Sequence, residues 1–288
     1  PDRVVLAEMG PGRGTLMADA LRAMRRVPGL HAALDVRLIE INPTLRASQQ
    51  AALGEASVEI HWHQHLAEVP TDAPMIVIAN EFLDTMAVDQ FERTAEGIAL
   101  RAVTCDADGA LAFTTLPAPP ETPTDVTQLL AAAAPGIVVE VPAGDYPIIA
   151  DLACRRDAGA VALIIDYGHE ASGPGETIQA VRQHRAEDIL ASPGEADLSA
   201  QVDFARLVAA AREHGLAADG PITQAEFLGR LGAIERASRL MDANPTEAAQ
   251  IEGGIARLMA PNGMGTRFKV VGLRTGPIEL PGLGTDNH

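Results

Sequence analysis

Lysine is nearly missing from this chain: of 22 basic residues all but Lys269 are arginine. Cysteine occurs only as Cys105 and Cys154, too far apart for a metal clip and too few for a disulfide framework. A reducing compartment follows, with a bacterial cytoplasm as the expected location. No run approaches the ~18 uninterrupted apolar residues of a membrane helix, so membrane insertion is not expected. No apolar secretory segment opens the chain. It starts at Pro1 and enters a core strand almost at once, which reads as a protein lacking its N-terminal segment. Clustered positive charge is absent too. The balance of 39 acids against 22 bases leaves −17. A nucleic-acid partner, which needs clustered bases to displace counterions, is therefore excluded. An acidic surface suits a cationic partner, though solubility explains it equally. The excess of arginine over lysine, with abundant alanine, points to a GC-rich genome.

What the chain does have is core. At 288 residues and 47% hydrophobic it can fill one large domain or two small ones. Val4-Val5-Leu6-Ala7-Glu8-Met9 reads as a buried strand that runs into Gly10-Pro11-Gly12-Arg13-Gly14 and then a helix. Such a turn brings backbone N–H groups and a helix start close to a nucleotide-like ligand. Its G-x-G-x-G spacing differs from the G-x-G-x-x-G of pyrophosphate loops and resembles motif I of S-adenosylmethionine (SAM) methyltransferases. A plain bend before a helix would give the same glycines.

Arg37-Leu38-Ile39-Glu40-Ile41-Asn42 reads as the second strand, closing on Glu40. In doubly wound folds a carboxylate at that position accepts hydrogen bonds from ribose hydroxyls. Gly10, Gly12, Gly14 and Glu40 together predict a SAM or dinucleotide site, with Glu8, Ile41 and Asn80 beside it.

The first third alternates strand and helix: strands 3–9, 35–41, 57–62 and 75–80, and helices 15–26 and 43–53. This is the rhythm of a parallel sheet with covered faces. Short alternating strands at 88–93, 98–104 and 110–115 then form a hairpin-type insertion, followed by a proline-rich connector. A helix is expected at 124–134, a strand at 137–141, a helix at 145–157 and a central strand at 160–166. Beyond a polar stretch come helix 201–214, a largely helical 223–260 broken near Pro245, and a final strand at 267–273. The expected fold is α/β, a Rossmann-like, mostly parallel class I methyltransferase sheet with a β-hairpin insertion and a helical cap. Its core spans 1–170, with the insertion at about 85–135, and the helical cap or substrate region spans 171–288, returning to the core with the final strand at about 267–273.

Ligands of open α/β sheets bind beyond the carboxyl ends of the strands. Acids collect there: Glu81 and Asp84 after Asn80, Glu140 in strand 137–141, and Asp166 before Tyr167. Such a rim would hold a guanidinium, whose planar donor fork matches carboxylates. Glu81 is expected as the main clamp, Asp84 as a helper, and Asp166 or Tyr167 as the residue closing the site. Each could equally be a helix cap or a solvated strand end. Asn80-Glu81-Phe82-Leu83 lacks the two prolines of nucleobase amino-methyltransferases. His61, His63 and His65 would share a strand face, but sheet alternation alone gives that spacing and no metal is expected. His65 and Leu66 are candidates for adenine contacts, and His169 for the border of the acceptor site.

The segments Glu8-Met9-Gly10-Pro11-Gly12-Arg13-Gly14, Ala79-Asn80-Glu81-Phe82-Leu83-Asp84, Ile164-Ile165-Asp166-Tyr167-Gly168-His169, Gly194 to Phe204 and Gly220 to Gln224 follow in this order. They resemble the MidA family, bacterial relatives of the mitochondrial complex I assembly methyltransferase, from about Val4 to Val271. The resemblance implies a class I SAM-dependent fold. It also implies ω-N-methylation of a protein arginine, in the mitochondrial members symmetric dimethylation within a complex I core subunit. By position it carries Gly10, Gly12, Gly14 and Glu40 to the SAM site, and Glu81 and Asp84 to the Glu-Phe-x-Asp motif beside the acceptor. Leu83 stands where relatives often have Phe, and Gln201 where the pattern has His, which questions a catalytic role there. Asp203 is either an acceptor-side carboxylate or a cap for the helix after it. The expected partner is a protein substrate presenting arginine, of complex I type, and the reading admits a homodimer. Two alternatives stand beside it: an assembly factor that holds SAM structurally or not at all, and a dinucleotide-dependent oxidoreductase, which the glycine spacing disfavours.

Overall fold

The computed structural model describes residues 2–284. Two compact units divide the chain. The first comprises the chain through residue 83, residues 146–168, and the chain from residue 206 onward; the second comprises residues 84–145 and 169–205. The sequence reading ran its core to 170 and had the region beyond it return to that core through a final strand at about 267–273. Residues from 206 onward return to the first unit because they supply two strands of its sheet.

That sheet runs in the spatial order Ala217–Thr223, Phe268–Arg274, Ala160–His169, Met75–Asn80, Val4–Met9, Leu34–Ile39, Ile60–His63. Val4–Met9 pairs in parallel with Leu34–Ile39 on one side and Met75–Asn80 on the other. Phe268–Arg274 runs against both of its neighbours. The expected Rossmann-like, mostly parallel class I sheet is thus observed. Val5, Leu6, Ala7 and Met9 are all buried, as a central parallel strand covered on both faces requires. The helix Thr15–Met24 sets Met17 and Leu21, one turn apart, against Leu6, Val36, Leu38 and Leu53. Burying each such side chain contributes about 1.5–3 kcal/mol. The helix Pro43–Leu53 starts with Pro43 in its first turn, and the Asn42 side chain accepts from Thr44 N and Leu45 N.

The strand Ala217–Thr223 falls in a stretch left without an assigned element, between helix 201–214 and the helical region from 223. It lies at the edge of the sheet, where proline costs no ladder bond, and its pairing slips between Asp219 and Ile222. The segment Pro28–Ala33, expected as loop, is a short helix with proline in its first turn.

In the second unit, Leu111–Pro117, Ile98–Cys105, Val88–Arg93 and Val138–Pro142 form an antiparallel sheet in that order. The hairpin insertion is therefore present, and it also takes the strand carrying Glu140, which the sequence reading assigned to the rim of the parallel sheet. Phe91, Val139 and Val141 meet Val126 and Leu130 of the helix Thr124–Ala131. A three-stranded antiparallel sheet (Arg185–Glu187, Gln179–Arg182, Asp197–Ser199) occupies the polar stretch read as loop; its strands are too short to show a period. Among the described residues no helix is long and apolar enough to cross a membrane.

Candidate functional site

The turn after Val4–Met9 is built on left-handed backbone, with φ of +57° at Gly10, +54° at Gly12 and +80° at Gly14. Two bonds hold it in place: Gly10 N to Ile39 O (3.0 Å) and Gly14 N to Pro11 O (2.8 Å). A Cβ on Gly10 would stand 2.9 Å from the Phe82 ring, closer than real Cβ contacts come. At Gly12 the same atom would meet nothing within 4 Å. Bare backbone there faces open space, the condition for a ligand to approach closely. Gly14 opens the helix Thr15–Met24.

Two carboxylates stand on one face of the sheet beside this turn. Glu8 pairs across the sheet with Leu38 and Ile78, so it lies on their apolar face. It is only 3% exposed, its Oε2 meets no hydrogen-bond partner, and burial raises its pKa from 4.5 to about 7. Glu40, also buried, accepts from Asn42 N on Oε1 (2.8 Å) and from Gln49 Nε2 on Oε2 (3.1 Å). Arg46 donates to the Glu40 carbonyl and to His63 O, tying the ends of two neighbouring strands together. Gln49 and Arg46 escaped the sequence reading. The available signal was spacing: Gln49 stands four residues before Leu53, on the helix's core side. Ile41 is 73% exposed next to Glu40, an apolar side chain left in the open.

A glycine cradle open at Gly12, an orphaned acid oxygen and a second carboxylate with further lone pairs fit a ligand carrying both an ammonium and a sugar diol. SAM is such a ligand.

Past Met75–Asn80 the chain turns through Glu81, which adopts φ +49° although it is no glycine. Glu81 N donates to Ile165 O (2.9 Å), and the Glu81 side chain is exposed. Such strained backbone persists only where its surroundings enforce it. Here the enforcing group is Asp166, which is fully buried. Its Oδ2 accepts from Phe82 N (3.1 Å) and Leu83 N (2.9 Å), and its Oδ1 from Tyr167 N (2.9 Å). Asp166 therefore shapes the turn that presents Glu81, where the sequence reading had it closing the site. Tyr167, half-buried, meets Phe268 edge-on at 5.6 Å. Asp84 is buried, and its carbonyl accepts from Ala200 N.

Leu66 is 1% exposed, a core residue whose carbonyl accepts from Arg155. His65, exposed, starts the turn Leu66–Glu68. His61 lies 3.3 Å from Glu59, and His63 sits between Glu68 and Arg37. Burial first, and then the Arg37 charge, pull the His63 pKa below its usual value. In the second unit a cavity of about 240 Å³ is lined by Glu140, His169, Thr177 and Gln201. Glu140 takes hydrogen bonds there from Gln90 Nε2 and from Thr177, and His169 Nδ1 stands 4.0 Å from the Asp203 carboxylate.

Residues 1–222 match the family described as "Putative S-adenosyl-L-methionine-dependent methyltransferase". The chain is 31% identical over 291 residues to the mitochondrial protein arginine methyltransferase NDUFAF7 of Danio rerio, covering 92% of this chain and 67% of that one. It spans about two thirds of the length of the curated relatives it matches. A COG1565 superfamily protein from Burkholderia thailandensis shares the fold, with a TM-score of 0.83 at 24% identity over 99% of this chain and 77% of that one. A member of the same superfamily and organism, bound to S-adenosyl-homocysteine, aligns with a TM-score of 0.79 at 25% identity over 98% and 73%. The chain belongs to this family of S-adenosyl-L-methionine-dependent methyltransferases.

Proposed function

We propose that the chain methylates an ω-nitrogen of arginine in a protein substrate, with a subunit of a complex I type assembly as the client. The observation that carries this reading is Glu81: an exposed carboxylate held in left-handed backbone directly after Asn80, by an acid buried beneath it. The name of the relatives, protein arginine methyltransferase, supports arginine as the acceptor.

Bound SAM supplies a methyl group on a positively charged sulfur. The remaining work falls to the chain. Gly10, Gly12 and Gly14 line the cofactor with backbone rather than side chains. Glu40 accepts from the ribose hydroxyls, and Glu8, ionised beside a cation, accepts from the cofactor's ammonium. Ile41, Asn80 and His65 border the adenosine. Glu81 grips the guanidinium through two parallel N–H···O bonds, which fixes the attacked nitrogen in line. Its charge also draws the guanidinium's positive charge toward the bound nitrogens. Asp84 assists, and Asp166 acts only by holding the turn. Tyr167 stands beside the acceptor.

The test uses radiolabelled SAM with a client lysate, followed by mass spectrometry of the labelled protein. Label on arginine in the unmodified chain is expected. Glu81→Gln should bind S-adenosylhomocysteine within about twofold of wild type while methyl transfer drops by ~10²-fold or more. Full turnover by that variant, or label on another residue type, contradicts the reading.

A further inference from the structure

Gln49 is a neutral side chain with no measurable exposure, in the middle of the helix Pro43–Leu53. A buried amide is tolerated only when its polar atoms are paired. Its Nε2 donates to Gly12 O at 2.8 Å and to Glu40 Oε2 at 3.1 Å. Its Oε1 accepts from Trp62 Nε1 at 2.8 Å. Both amide hydrogens thus go to acceptors, and the amide oxygen to the one donor. The reverse orientation would aim that oxygen at a carbonyl and a carboxylate, and the NH2 group at an N–H. The helix backbone also abuts the turn, since a Cβ on Gly14 would come within 3.3 Å of Gln49 Cα.

We infer that Gln49 is the positioning residue of the cofactor pocket, joining the glycine turn to the Glu40 carboxylate in one fixed geometry, with Trp62 locking the amide. The inference rests on the methyltransferase reading of the same pocket. Asn42 N already holds Glu40 Oε1, but the other carboxylate oxygen depends on Gln49, and the carbonyl of Gly12 sits in a loop. One amide bonded to both fixes them before any ligand arrives, and pre-organisation of this kind appears as affinity. The arrangement also wires the pocket to the chain's single tryptophan.

The test is a double-mutant cycle on S-adenosylhomocysteine binding by the full chain, measured by calorimetry, with thermal unfolding checked for each variant. Gln49→Leu is expected to raise Kd about tenfold, the scale of a hydrogen bond to a charged group. Glu40→Ala raises it as well. Because Gln49 acts in part through Glu40, the double variant should lose less than the product of the two single losses. Tryptophan emission should change with ligand in wild type and respond less in Gln49→Leu. If Gln49→Leu unfolds, Trp62→Phe removes only the indole donor and should weaken binding by about two- to threefold. Unchanged Kd in the folded variants, or losses that multiply independently, overturns the inference and leaves the methyltransferase reading standing. Absence of binding to wild type overturns both.

Discussion

Glu8 combines near-complete enclosure with a carboxyl oxygen that meets no hydrogen-bond partner, and burial lifts its pKa to about 7. An unfolded glutamate ionises near 4.5, so between the two values the folded chain holds the extra proton. This contribution to stability is complete below about pH 4.5, and it is lost as pH rises through about 7. At most about 3 kcal/mol is involved, from the size of the shift. Glu8→Gln keeps the shape and removes the titration. Its melting temperature should therefore gain on wild type as the pH goes from about 5 to about 8. Melting curves that move in parallel across that range would contradict the burial argument. At this scale much was legible: glycine spacing marked the turn, and the end of a hydrophobic strand marked Glu40. Gln49 was not, because nothing in one sequence separates a buried glutamine from a solvated one. The hydrogen bonds that Asp166 takes from the backbone N–H groups of Phe82, Leu83 and Tyr167 were likewise invisible in its type and position.

Elements whose apolar pattern was long and regular appeared where the periodicity put them. Val4–Met9, Met75–Asn80 and Ala160–His169 all carry enough buried apolar residues to declare their type. The failures have other causes. Ala217–Thr223 has no apolar alternation and depends on pairing with Phe268–Arg274, a contact made across a long sequence separation. The three short strands between 179 and 199 pair locally, Arg182 with Arg185 across a two-residue turn, but are too short to show a period. Local capping, by contrast, is both readable and testable. Asn42 closes the start of Pro43–Leu53 through Thr44 N at 2.9 Å and Leu45 N at 3.4 Å. Asn42→Ala should cost about 1 kcal/mol, seen as a lower urea midpoint with the slope unchanged. An unaltered midpoint would show that water replaces the cap at no loss.

At the scale of the whole chain, the first unit gathers the glycine turn and its neighbouring acids at one end of a largely apolar, mostly parallel sheet. The glycine turn, Glu8 and Glu40 stand where strands 4–9 and 34–39 finish, and Glu81 follows the end of strand 75–80. The order of the strands explains why residues far apart in sequence gather there: parallel neighbours deliver their carboxyl ends to the same edge. Sequence reasoning reached this arrangement through the first strands, which follow each other closely. The return through the last strand, Phe268–Arg274, was legible too, but the edge strand Ala217–Thr223 was not, having no apolar alternation of its own. A crystal structure of the chain soaked with S-adenosylhomocysteine tests the central claim most directly. The thioether ligand is expected against the backbone of Gly10 to Gly14, with its ribose hydroxyls hydrogen-bonded to Glu40 and its ammonium facing Glu8. Ligand density elsewhere, or an occupied pocket in which the ribose turns away from Glu40, would contradict it.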